Sequence, residues 1–185
     1  MDYANIKAKV DNYNSILDNT KNYRKAWDDG LSKMIIDNLT AIIKGTKLAA
    51  FIDLKDDIEN LEAITLSLGT EVSGIAERIP GSKSKRPFIK SKGSLIFQQL
   101  FNGKLMMMIM YPHIEGYGQP KPPRTLEILR PEEVKEAYIV RYVEEFMKEM
   151  IEWEDFDDDV PEKMGMAPIG FGVNKDLITD ELMEG

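Results

Sequence analysis

The sequence predicts an α+β protein: an antiparallel sheet centred on a hairpin at 94–111, with N-terminal helices and a long C-terminal helix packed on it. Three observations carry this. SLIFQQLF and KLMMMIMY are joined by Asn102-Gly103, a strong short-range hairpin signal. Residues 4–44 recur at helical spacing. Residues 130–154 combine a helix-starting Pro131-Glu132-Glu133 with an apolar stripe.

In the N-terminal segment, Ile6, Val10, Tyr13 and Leu17 follow steps of four, three and four, so they share one helical face. Tyr23, Trp27, Leu31, Met34, Ile35, Leu39 and Ile42 continue with some drift, and Lys44-Gly45 reads as a stop. One unbroken helix would be about 60 Å long. The radius of gyration expected for a domain of this length is about 16 Å. The reading preferred is therefore a break at Asp28-Asp29-Gly30, giving two antiparallel helices. The alternative is a long helix whose end serves a homodimer.

Residues 46–61 fit a helix or a strand. In 62–69, Ile64, Leu66 and Leu68 alternate with Thr65 and Ser67, as in a half-buried strand. Residues 80–93, bounded by Pro80-Gly81 and Gly93, read as a loop. A two-residue Asn-Gly turn of type I′ would set Ser94 opposite Tyr111, and Leu100 opposite Leu105. PHIEGYGQPKPPRT is too rich in proline and glycine for regular structure, and 125–129 reads as a short strand. Residues 1–154 are expected to form a single domain. Residues 155–185 form an acidic, glycine-containing extension, lying on the domain or partly flexible.

The 185-residue chain has no cysteine, which excludes disulfides, zinc fingers and thiol nucleophiles. The N-terminus has no apolar signal-peptide run, and the longest apolar run is Leu105–Tyr111. That run is far short of the roughly 20 residues that span a bilayer. A cytoplasmic location is expected, with no membrane partner. The net charge is −8 and is uneven. Residues 132–185 hold 17 acids and 5 bases, a net of −12, so residues 1–131 carry +4. Such acidity opposes general attraction to nucleic acid, while leaving room for a local basic patch.

Four of eleven methionines lie at Met106, Met107, Met108 and Met110, close to the only histidine. Thioethers can hold Cu(I), and methionine can line an apolar groove. The reading preferred is a central strand buried on both faces. His113 has a nearby acid, Glu115, with Tyr111, Tyr117 and Arg124 close in sequence. These five are the candidate ligand- or partner-binding residues on a rigid Pro/Gly/Tyr surface. A general acid–base site at His113 is the weaker reading. No catalytic motif is complete, and no catalytic residue, metal ligand or cofactor is assigned.

Lys83, Lys85, Arg86, Lys90 and Lys92, with Phe88 among them, are candidate polyanion-binding residues. Binding through them would weaken steeply as salt rises. The competing reading is a solvated loop. Asp155, Asp157 and Asp159 resemble the start of a calcium loop, but Val160 and Met166 stand where glycine and glutamate are required. Gly165, Gly170 and Gly172 lack the lysine of a phosphate loop. The acidic extension could dock on stretch 82–92. The leading functional expectation is a noncatalytic protein-interaction module, either single-chain or homodimeric. A nucleic-acid-associated protein and a small-molecule binder or enzyme near His113 are the alternatives.

Overall fold

The computed structural model describes residues 2–155. The sequence readings of residues 156–185 lie outside the described residues. So does most of the calcium-like run, together with the glycine-rich stretch and the docking of the acidic extension. Two joined N-terminal helices, a C-terminal helix and antiparallel sheets make an α+β fold.

Helix α1 spans Ala4–Ala26 and α2 spans Ser32–Thr46. Between them, Trp27–Leu31 forms a π-type turn with Gly30 at φ 152°, outside helical geometry. The break therefore falls where Asp28-Asp29-Gly30 suggested, on the one residue with no Cβ to resist it. The expected antiparallel packing does not follow. A hairpin of helices needs a short loop to reverse the chain, and here a single non-helical residue only redirects it. α1 buries none of its residues, while α2 buries Ile35 and Leu39. The stop comes at Lys47, which takes the left-handed cap position at φ 57°, two residues beyond Gly45.

Strand β1 is Phe51–Lys55, which settles the ambiguous segment as strand, and β2 is Ala63–Ser67. β3 is Thr70–Arg78 and β4 is Lys85–Ser91. Half of the expected loop at 80–93 is thus strand. Its side chains are largely solvated, so the apolar alternation that marks a half-buried strand is missing. Pro87 is tolerated because it sits beside the irregularity between Val72 and Ala76, where ladder bonds are already broken.

β5 is Ser94–Gln99 and β6 is Leu105–Met110. The hairpin exists, but its register is one residue from the expected one: Ser94 faces Met110 and Gln99 faces Leu105. The loop has three residues between Leu100 and Lys104, closed by Gly103 N–H donating to Leu100 C=O at 2.8 Å. Gly103 has positive φ at 74° and Asn102 does not, so a type I turn with a glycine bulge replaces type I′. This choice decides which methionines are core. Leu105, Met107 and Ile109 are fully buried, opposite Leu95 and Phe97. Met106 and Met108 are only half-buried and Met110 is 37% exposed, so the strand is not buried on both faces.

β7 is the two-residue His113–Ile114, inside the segment expected to be irregular, and β8 is Arg124–Leu129. Pro131–Glu133 forms one 3₁₀ turn, and α3 runs Glu136–Glu154. The helix therefore starts five residues after Pro131. Val134 and Lys135 are extended, which lets Val134 drop into the core. The Glu133 carboxylate accepts the Arg130 N–H at 2.7 Å and closes the turn.

The larger sheet has the order β1-β2-β5-β6-β8, and the smaller has β3-β4-β7. They are continuous in register. Ser67 faces Ser94, and beyond a bend Thr70 faces Ser91. Ser94 faces Met110, and beyond the bend Lys90 faces Ile114. Leu68 N–H to Gly93 C=O and Lys92 N–H to Gly69 C=O carry the ladder across. Gly69 and Gly93 at φ 80° and 91°, with Pro112, mark the bend. A Cβ at Gly93 would meet Met150 Sδ at 2.6 Å and the Met110 carbonyl oxygen at 3.0 Å. Helices α2 and α3 fill one face of the larger sheet. Ile35 and Leu39 of α2, with Ile139, Tyr142, Phe146 and Met150 of α3, meet Leu66, Phe97, Met107 and Ile109.

Gly93→Ala should lower stability by at least about 2 kcal/mol, from left-handed strain plus the backbone clash. Gly118, also at positive φ but with open space around it, provides the control. Gly118→Ala should cost only the strain, about 1 kcal/mol. Equal urea midpoints for the two variants would contradict this view of the bend.

Candidate functional site

The five residues around the histidine separate into two groups. Tyr111 and Arg124 face α3. Tyr111 is buried and hydrogen-bonds Glu149, while Arg124 bonds both Glu149 and Glu145, the latter at 2.6 Å. Lys121 Nζ lies 3.7 Å from the centre of the Tyr111 ring and 3.8 Å from Glu149. Burial above all, then the bond to the Glu149 carboxylate, pushes the Tyr111 hydroxyl up to about 12. A second cluster of the same kind lies along α3. Tyr142 donates to Glu127 on β8, and Arg141 donates to the same carboxylate oxygen at 2.7 Å. Burial raises the Tyr142 hydroxyl too, followed by the bond to Glu127. In both clusters one carboxylate joins a buried tyrosine to a surface arginine. The clusters clamp β8 and the end of β6 to α3.

His113, Glu115 and Tyr117 lie elsewhere, on β7 and the turn after it. His113 faces Ser91. Glu115 N–H donates to Ile89 C=O at 2.9 Å, and the Tyr117 ring lies 6.4 Å from Phe88. Glu115 joins Glu77, Arg86 and Phe88 in lining an open groove. Tyr111 and Arg124 thus come together, and His113, Glu115 and Tyr117 come together apart from them. Among the described residues, no group of three or more His, Asp or Glu side chains is placed to hold a metal ion.

The basic stretch also divides. Lys90 is buried, 2.6 Å from Glu154 and 3.4 Å from Glu71, with its ammonium 4.8 Å from the Trp153 ring centre. Lys92 lies 3.6 Å from Glu71. Lys90 holds the end of α3 to the sheet, while Lys92, among the described residues, pairs with β3 alone. Lys83, Lys85 and Arg86 are exposed on the β3–β4 hairpin and form no ion pair with a described residue. No helix among the described residues is long and apolar enough to cross a membrane.

Among the described residues, α1 carries an uncovered apolar stripe. Ile6, Val10, Tyr13, Ile16 and Leu17 are 45–61% exposed. These are the residues whose spacing marked a helical face, joined by Ile16. Sequence reasoning found the stripe but expected most of it to pack on the neighbouring helix. It missed Phe101, an apolar residue 76% exposed at the β5–β6 turn. No local signal marked it, because a two-residue Asn-Gly turn leaves Phe101 in the strand and only the three-residue loop places it in the turn. Comparison with protein-family models, with curated proteins and with solved structures gives no match.

The Tyr111 hydroxyl ionises near 10 when unfolded and near 12 when folded. Its contribution to stability is intact below pH 10 and is lost as pH rises from 10 to 12. Urea titrations on either side of pH 10 should therefore show a smaller alkaline loss for Tyr111→Phe than for the unaltered chain. An equal loss in both would remove Tyr111 from the clamp.

Proposed function

We propose that this protein is a noncatalytic protein-interaction module that self-associates through α1. The observation that supports it is the unburied apolar stripe of α1, carried on a helix that adds nothing to the core. Large contiguous apolar surface on a soluble domain marks an interaction site more often than chance. A helix with a 3–4 apolar repeat presents the side of itself that docks into a groove or pairs with another helix. The carboxylates of Glu127, Glu145 and Glu149 are engaged in clamping α3, which supports a structural role for them. The nucleic-acid alternative keeps Lys83, Lys85 and Arg86 of its five cations, the other two being tied to Glu71 and Glu154.

Light scattering on the eluting protein should give twice the chain mass of 21.1 kDa. The pair Ile6→Glu and Leu17→Glu should return it to one chain, because a charge in an apolar seam is left unpaired on association. Fluorescence of the buried Trp27 should be unchanged, showing that the body stays folded. A single-chain mass for the unaltered protein would refute self-association. A double mass that survives both substitutions would remove α1 from it.

A further inference from the structure

We infer that the occupant of the α1 stripe is a second copy of α1, lying antiparallel over residues 6–17. This rests on the self-association proposed above and names its geometry.

The stripe does not end at Leu17. At the same spacing it runs on through Thr20, Arg24, Trp27 and Leu31. That second half is already occupied by the molecule's own body. Arg24 donates to the Phe101 carbonyl at 2.8 Å. The turn approaches so closely that a Cβ at Gly103 would meet Tyr23 Cβ at 2.7 Å and the Thr20 carbonyl at 3.0 Å. Trp27 and Leu31 are in the core. One helical face thus divides in two: the body covers it from Thr20 onward, and no described residue covers it before that.

This settles the direction of a partner helix. A parallel copy would need the same face along residues 20–27, where the β5–β6 turn lies. An antiparallel copy needs only the free half, and it leaves the two bodies at opposite ends. The facing layers are then Ile6 with the partner's Leu17, and Val10 with the partner's Tyr13, each repeated by symmetry. Every layer is apolar, as interlocking helices require, and the small Val10 meets the large Tyr13. Charge agrees. The chain is net −8, but residues 4–19 hold two lysines and two aspartates. Lys7 stands on the same flank as the partner's Asp18. The exposed apolar side chains of two copies offer at most about 1,000 Å², the size of a weak, reversible interface.

The absence of cysteine makes the test clean. Two full-length variants, Val10→Cys and Tyr13→Cys, are prepared, one with a mass tag, and oxidised mildly alone and as an equal mixture. The antiparallel pairing predicts a mixed disulfide several-fold in excess of either symmetric product. Symmetric products from each variant alone, with no excess on mixing, would show a parallel pair and overturn the inference. No disulfide at all, from a protein whose unaltered form has double mass, would place the contact elsewhere and overturn the orientation while leaving self-association standing. A single-chain mass for the unaltered protein would end both.

Discussion

A sheet with one apolar face has room for only as many helices as that face can cover, and here two are enough. Ile35 and Leu39 of α2 and Ile139, Tyr142, Phe146 and Met150 of α3 meet Leu66, Phe97, Met107 and Ile109, and none of them is more than 3% exposed. Burial on that scale dominates the favourable side of folding. It also leaves α1 without a place. The first helix is joined to the core at Trp27 and Leu31, and the rest of its apolar stripe faces outward. The exposed stripe is thus a consequence of how the core is filled.

The second organising feature is the bend. Three strands pass through it without losing register, so the smaller sheet is an extension of the larger one. Gly93 has to be glycine there, since the end of α3 and the Met110 carbonyl crowd it. Beyond the bend the α3 terminus still reaches the sheet, but through charge instead of apolar packing: Lys90 is held between Glu154, Glu71 and the Trp153 ring. A buried lysine needs such company, because an uncompensated ammonium is expensive out of water. The same logic explains the two tyrosine–glutamate–arginine clusters along α3. Each lets a buried hydroxyl end on a carboxylate that an arginine neutralises.

Much of this was legible in the sequence where local chemistry and burial agree. The alternation of Ile64, Leu66 and Leu68 marks a strand, and β2 is one, but its Thr65 is buried as well, because β2 lies between β1 and β5. Gly30 marks the helix break because only it tolerates the required angle. Legibility fails where the deciding partner is distant. Asn-Gly fits two turn types, and the choice between them rests on whether odd or even residues of β6 meet α3, which no local signal states. The basic β4 looks like a loop because its partners are solvent and a bulged neighbour, not a core. In the candidate site, Tyr111 and Arg124 meet through Glu149, a helix residue 25 or more positions away in sequence. The stripe on α1 was readable as a stripe. Whether it faces inward depends on whether the core is already full, and that is a property of the whole chain.

The central claim is that a second chain covers the apolar half of α1, which no other described residue covers. Hydrogen exchange on residues 5–18, followed over a range of protein concentrations, tests it directly. An isolated, uncovered helix of this length is marginal in water, so its amides should exchange quickly in dilute protein. They should become protected as concentration rises, while the amides of α2 and α3 stay constant. Protection of residues 5–18 that is the same at every concentration would contradict the claim.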